Sequence, residues 1–207
     1  MTSTFLAVGS LEALRAVLRR GDVLDVAARG DVVAITTAAA FIGVTEAAVE
    51  LADACSDFDL AVEALVISDR AATSEPYFAR RITEARLVVL CDGSPLHARA
   101  VWRATPVGEA IGRAHQVVAV GSVATVVCEV MIDPRGGAPT TGLGFLGGVA
   151  LAPGLSEELL QRTRSLVAPE LAVVAYGPSG VVKHDGSSWS VVDGDVVVTR
   201  GQDQAQL

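Results

Sequence analysis

Ser122 is the residue in this chain whose surroundings could make it reactive. It lies in VVAVGSVATVVCEVM, where an apolar run of strand character passes through small residues into an apolar run of helical character. That is the sequence form of a strand-turn-helix elbow. Such a turn strains a nucleophile and exposes its oxygen at the carboxyl edge of a sheet, with neighbouring backbone N–H groups free to hold an oxyanion. Read as G-x-S-x-G, the segment runs Val120, Gly121, Ser122, Val123, Ala124, so neither flanking glycine stands in its usual place. Ala124 still allows close approach of helix and strand, whereas Val120 narrows it.

A serine hydroxyl is a poor nucleophile until a positioned group takes its proton. The chain has three histidines, His97, His115 and His184. His115 lies about seven residues before Ser122 on the same strand, roughly 20 Å away at 3.3 Å per residue, and belongs at the opposite edge. His184, in VVKHDG, reads as part of an exposed turn. His97 falls in the first helical turn after Gly93, with Ser94 as the expected cap, and so on the elbow's edge. It is the base candidate, although a surface or cap-region histidine is the simpler reading. Glu129 and Asp133 follow the elbow, the first about two helical turns on and the second opening a Pro-containing turn; both read as solvated or capping residues.

Cys55, Cys91 and Cys128 are odd in number and form no C-x-x-C pair, which argues against a disulfide framework or a zinc knuckle. Cys91 and Cys128 are conceivable nucleophiles without a neighbouring histidine, and all three read as core residues. GLGFLGG carries G-x-G-x-x-G spacing at Gly142, Gly144 and Gly147, but the strand-like VALAP follows it rather than a helix, and no P-loop lysine is present. Nucleotide binding is therefore the lesser reading, and neither a cofactor nor a metal is expected.

These residues need a scaffold. With 207 residues, 51% of them hydrophobic, and a mean hydropathy of +0.46, the chain can build one sizeable core and is expected to be one domain over 1–207. Val, Ala and Leu dominate, the mixture suited to parallel strands covered on both faces. Strand and helix signals alternate. A strand at TFLAVG is followed by a helix capped by Ser10, and a second strand over DVVAITTAAA is entered from the ARGD turn. Next come a helix over about residues 45–55, a strand at EALVIS, a helix around EPYFARRITEA and the strand RLVVLCDG.

Beyond the elbow, DPRGGAPTTGLGFLGG reads as loop, VALAPG as a short strand, and Ser156 as the cap of EELLQRTRSLVA. LAVVAYG, SGVVKHDG, SSWSVVDG and DVVVTRG then alternate as antiparallel strands, and GQDQAQL reads as a frayed terminus. The expected fold class is α/β, a doubly wound, mostly parallel sheet with helices on both faces and C-terminal antiparallel hairpins.

Several of these segments, in order, resemble the peptidase family of cyanophycinase and dipeptidase E, serine hydrolases on a class I glutamine amidotransferase-like fold. DVVAITTAAA is similar to that family's second strand with its Thr-Ala-Ser-Ala ending, RLVVLCDGSP to the strand ending in Gly-Gly-Asp-Gln, and ATPVGEAI to the Gly-Thr-Pro helix start. VVAVGSVATVV stands where Gly-Thr-Ser-Ala-Gly-Ala is expected. GLGFLGGVALAPGL looks like the stretch leading to the family's catalytic histidine, and the hairpins ending in VVDGDVVV also fit.

The resemblance implies Ser122 as nucleophile and backbone N–H groups of Gly93 and Val123 as oxyanion donors, in a pocket with Gly121 and Asp92. Asp92 replaces a glycine there. A carboxylate 4 Å from a developing oxyanion opposes it by about 4 kcal/mol at an effective dielectric near 20. The family's histidine position holds Gly154. The expectation is thus a family relative that has lost efficient hydrolysis and acts in binding or assembly. The alternative is an active serine peptidase or amidase.

Charge and composition bound the partners. A net charge of −8 and an isoelectric point near 4.8 disfavour nucleic acid. No apolar run reaches the roughly 18 residues of a membrane span, and the N-terminus lacks a secretory pattern, so a cytoplasmic protein is expected. A small peptide or amino-acid-like ligand suits the pocket. The apolar composition is compatible with a homodimer without requiring one.

Overall fold

The computed structural model describes residues 4–21, 32–201 and 203–207; the expected ARGD turn, residues 28–31, lies outside them. β1 (Thr4–Val8) sends Phe5 and Ala7 into one core and Leu6 and Val8 into the other, the alternation of a strand covered on both faces. α1 (Leu11–Arg20) begins where Ser10 Oγ accepts the Ala13 N–H at 3.2 Å. There follow β2 (Val32–Ile35), α2 (Val44–Ser56), β3 (Val62–Leu65), α3 (Pro76–Glu84) and β4 (Leu87–Leu90). α4 (Pro95–Trp102) and α5 (Pro106–Arg113) both open with proline behind a capping hydroxyl, Ser94 and Thr105. Proline fits there because the first turn leaves its N–H unbonded in any case.

β5 (Gln116–Val120) is wholly buried. Beyond it come β6 (Val130–Ile132), β7 (Pro139–Thr141), β8 (Val149–Pro153), α6 (Glu157–Leu166) and β9 (Ala172–Tyr176). β10 (Val181–His184), β11 (Trp189–Asp193), β12 (Val196–Arg200) and β13 (Asp203–Gln204) complete the chain.

The main sheet has the order β11-β10-β1-β5-β4-β2-β3. Its strands from β1 to β3 are parallel, while β10 and β11 join as an antiparallel hairpin beside β1. α1 and α2 cover one face. α3, α4 and α5 cover the other, so the doubly wound α/β expectation holds. A second sheet, β13-β12-β9-β8, packs its apolar side into the same core as α4 and α5. Among the described residues no helix is long and apolar enough to cross a membrane.

Four local expectations change. The TTAAA half of the expected second strand is a 3₁₀ turn, Thr37–Phe41. The neighbouring strands end at Leu65 and Leu90, so no ladder continues past Ile35, and Thr37 Oγ1 instead donates to the Ile67 carbonyl at 2.9 Å. The helix expected after the elbow is a 3₁₀ segment, Gly121–Val127, and Glu129 follows an isolated bridge between Cys128 and Leu146 rather than sitting two helical turns on. Within the expected loop, β6 and β7 pair as a short hairpin. The tail is tied down: β13 pairs with β12, and Ala205 N–H donates to Val198 O at 2.9 Å. The four antiparallel tail segments also divide, β9 and β12 going to the second sheet and β10 and β11 to the first.

Trp102 shows how the α4 side is anchored. It is fully buried, and its indole N–H donates to Thr37 Oγ1 at 3.1 Å, joining α4 to the 3₁₀ turn. Trp102→Ala should lower the unfolding free energy by about 3–5 kcal/mol through the cavity it leaves, measured as a lower denaturant midpoint at unchanged slope. A loss below about 1 kcal/mol would show that this anchor is dispensable.

Candidate functional site

β4 and β5 are neighbours, with Val88, Val89 and Leu90 opposite Val117, Val118 and Ala119. Because they run parallel, the turns that leave them, Asp92–Gly93 and Gly121–Ser122, emerge side by side at the carboxyl edge of the sheet. That edge is where open parallel sheets place their ligands.

The two turns meet through one carboxylate. Asp92 Oδ1 accepts the N–H of Gly93 at 2.7 Å, the N–H of Ser122 at 2.8 Å and the hydroxyl of Ser122 at 2.8 Å. The same hydroxyl lies 2.7 Å from the Gly93 carbonyl, so its single proton is shared between two acceptors. Two backbone N–H groups converging on one anionic oxygen have the form of an oxyanion site, already filled by the chain's own carboxylate.

Both glycines are required by this geometry. Gly93 has φ +144°, and a Cβ there would stand 2.1 Å from the Ala38 carbonyl oxygen, which also accepts the Ser94 N–H at 2.7 Å. Gly121 has φ +64°, a left-handed conformation that costs a residue with a Cβ about 1–2 kcal/mol. A Cβ on Gly121 would fall 2.2–2.6 Å from the Asp92 carboxylate atoms. Among the described residues the non-glycine residues with positive φ are Asp59 and Ala104, so Ser122 is not one of them. The strained position of the elbow is Gly121, and Ser122 follows it. The backbone N–H groups that meet at Asp92 are those of Gly93 and Ser122, while Val123, the other expected donor, has its side chain buried in the core.

Among the described residues no imidazole is hydrogen-bonded to the Ser122 hydroxyl. His97 caps back to Ser94 Oγ through its N–H at 3.3 Å. Its Nε2 lies 3.2 Å from the Ser68 carbonyl, and its ring packs edge-on against Phe41 at 5.0 Å. His115 sits at the start of β5, where its carbonyl accepts the Thr4 N–H, and His184 ends β10 beside that same edge. Gly154 closes β8 with its N–H on Tyr176 O at 3.0 Å, and a Cβ there would meet open space. The crevice beside Ser122, walled by Thr125, Pro134, Leu151, Pro153 and Leu155, holds no water-sized volume.

The remaining candidates are structural. Cys55, Cys91 and Cys128 are buried. Burial pushes the Cys55 thiol up to about 11 and those of Cys91 and Cys128 up to about 12, the reverse of an activated nucleophile. The Asp133 carboxyl is held below its ordinary range by its hydrogen bond from Arg135. Glu129 is exposed, with its backbone N–H on Leu146 O. GLGFLGG is pinned to the elbow segment, with Leu143, Gly144 and Phe145 N–H groups donating to Val126, Cys128 and Val127 carbonyls. Among the described residues no group of three or more His, Cys, Asp or Glu side chains could hold a metal ion.

The sequence reading passed over Tyr176. Its hydroxyl is buried without a hydrogen-bond partner, and burial, followed by the nearby Cys128 and Asp92 charges, pushes the phenol well up.

Two solved structures share this fold. A peptidase from an acI-B1 Actinobacterium matches with a TM-score of 0.78 at 17% identity, covering 100% of this chain and 94% of its own. A putative Peptidase E protein from Listeria monocytogenes EGD-e matches with a TM-score of 0.69 at 11% identity, covering 97% and 99%. No protein-family model and no curated protein matches the sequence. At these identities the likeness is one of fold.

If the Asp92 carboxylate occupies the space a residue-121 side chain would need, the two positions must be coupled. Gly121→Ala should cost about 2–3 kcal/mol in the native background and only the left-handed part, about 1–2 kcal/mol, in Asp92→Ala. A double-mutant cycle by chemical denaturation reads the difference; strict additivity would mean that the carboxylate does not fill that space. The thiols give a second check. At pH 8 a thiol near 12 is about one part in ten thousand thiolate, so a disulfide reagent should react with none of the three cysteines rapidly in the folded protein and with all of them in denaturant.

Proposed function

We propose that this protein is a cyanophycinase- and dipeptidase E-like chain that has lost efficient peptide hydrolysis and serves as a non-catalytic binding or assembly protein. The observation that carries the proposal is the Asp92 carboxylate seated on the N–H groups of Gly93 and Ser122. Acyl transfer through this corner would require a tetrahedral oxyanion to displace that carboxylate and then sit beside it. A repulsion of about 4 kcal/mol at 4 Å and an effective dielectric near 20 corresponds to roughly a thousandfold in rate.

Two further features act in the same direction. The left-handed elbow residue, Gly121, has no side chain to attack with. Gly154 stands where the resemblance puts the histidine that would take the proton, and the crevice between Ser122 and Pro153 is closed. With the crevice closed, a second copy of the chain is the candidate partner that remains, and a small peptide or amino-acid-like ligand would need that crevice to open. Three unpaired thiols support a cytoplasmic setting.

One observation favours the alternative of a working serine peptidase or amidase: the Ser122 hydroxyl touches a carboxylate at 2.8 Å, and a carboxylate can accept a hydroxyl proton. A fluorophosphonate probe separates the two readings. Intact-mass analysis of the folded protein should show no adduct at Ser122, and peptide substrates should remain uncleaved. An adduct that forms on the native chain and is lost in Ser122→Ala would overturn the non-catalytic reading.

A further inference from the structure

At the amino edge of the parallel strands, opposite the elbow, a cavity of about 200 Å³ opens between the main sheet and the glycine-rich segment that follows β7. Its walls are Phe5 of β1, Ile111 of α5, and Phe145 and Leu146 of the glycine-rich segment, with His184 beside them at the end of β10. Gly112 contributes to its existence, because a Cβ there would press within 3.0 Å of the Phe145 ring. The segment carrying Phe145 and Leu146 is fixed: both of their N–H groups donate to Val127 O, at 3.0 and 3.2 Å, and the Leu146 carbonyl accepts from Glu129.

His184 and Thr4 are the polar side chains of this cavity, and the orientation of His184 is set by its neighbours. Nδ1 accepts the Gly186 N–H at 3.1 Å, so in the neutral ring the proton is on Nε2. The ring packs edge-on against Trp189 at 5.1 Å. Trp189 in turn packs edge-on against Phe5 at 6.2 Å and aims its indole N–H at Gly147 O, 3.4 Å away. Burial lowers the tendency of the imidazole to take a second proton, with Asp185 opposing. Asp185 is itself engaged by the Ser187 and Ser188 N–H groups and the Ser187 hydroxyl. Among the described residues Nε2 has no hydrogen-bond partner, and no other wall residue carries a charge.

We propose that this cavity binds a small uncharged aromatic molecule carrying one hydrogen-bond acceptor, its ring held between Phe5, Ile111, Phe145 and Leu146 and its acceptor on the Nε2–H of His184. The size follows from the volume. A dry apolar cavity of about 150 Å³ takes up benzene, whereas drug-sized ligands need about 300 Å³ or more, so one ring with a short substituent fits and a peptide or nucleotide does not. The charge follows from the walls, which offer no ion pair to offset desolvation. The site lies at the other edge of the sheet from Ser122 and does not depend on how the elbow is read.

Acetophenone and ethylbenzene, nearly equal in shape and differing in the acceptor, are suitable probes. In amide and imidazole NMR titrations of the folded full chain, acetophenone should shift Phe5, Ile111, Phe145, Leu146 and His184 and bind about fivefold more tightly than ethylbenzene, the worth of one hydrogen bond. His184→Phe retains a ring against Trp189. It should bring acetophenone below the affinity of ethylbenzene, because its carbonyl is then desolvated without a donor, and leave ethylbenzene itself unchanged. Gly112→Leu, placed on the exposed side of α5, should weaken both probes by crowding Phe145, and melting curves confirm that each variant is folded. No saturable shifts at the cavity up to the solubility of acetophenone, shifts scattered over other apolar surfaces, or equal affinity of the two probes for the native chain would each overturn the proposal.

Discussion

Two backbone N–H groups at the end of a parallel sheet, both pointing at one place, must have an acceptor, and in this protein the acceptor belongs to the chain. The Asp92 carboxylate takes the N–H groups of Gly93 and Ser122 together with the Ser122 hydroxyl. Hydrogen bonds to an ionised group contribute about 1.5–3 kcal/mol where they are shielded and less where, as here, the carboxylate reaches solvent. The neighbouring backbone is arranged around that contact. Gly93 turns tightly over Ala38, Gly121 leaves room for the carboxylate, and Ser94 can begin α4 directly afterwards.

The contact exists because the sheet register places it. Asp92 and Ser122 are thirty residues apart, yet the pairing of β4 with β5 brings them to the same height on the same edge. That pairing is held by cores on both faces. Val88, Leu90, Val117 and Ala119 face α3, α4 and α5, while Val89, Val118 and Val120 face α1 and α2. A one-residue slip would send every one of these side chains to the wrong core, which makes the register, and hence the geometry of the carboxyl edge, strongly determined.

What could be read from the sequence divides along the same line between local and non-local information. Helix starts at Ser10, Ser94 and Ser156, and the alternation of β1, β4 and β5, are encoded within a few residues and were legible, whereas the start at Thr105 rested on the resemblance of ATPVGEAI. The division of the tail between two sheets was not, because β9 and β10 are both short Val-containing strands whose sheet is decided by distant partners. The left-handed residue of the elbow turn is Gly121, the residue before Ser122. The elbow's apolar context marked Ser122, but the cheapest residue for a left-handed turn is glycine, and Gly121 immediately before the serine was the available signal. The resemblance set Asp92 in the turn after RLVVLCDG, while its contact with Ser122 required the sheet. His184 read as a turn residue because HDG is a turn signal, yet Trp189 lies directly opposite it across the hairpin and helps shape a cavity.

The features of the carboxyl edge depend on one another. With no side chain at 121, the space beside it is open to a carboxylate; once that carboxylate is there, any Cβ at 121 collides with it at little more than 2 Å. A hydroxyl-bearing residue at 121 would therefore clash unless Asp92 changed first. Removing Asp92 alone would leave two N–H donors without their acceptor and no nucleophile at the strained position. Gly154 stands apart: a side chain there would meet open space, and what resists it is its left-handed φ of +65° rather than a collision. An imidazole at 154 would nonetheless have no strained hydroxyl to deprotonate, since Ser122 is the residue after the turn and shares its proton between Asp92 and Gly93. On the non-catalytic reading proposed above, acyl transfer in this corner would need compatible changes at positions 92, 121 and 154 together. The close approach of any Cβ at 121 to the Asp92 carboxylate therefore couples the two positions, so a side chain at one requires the other to move.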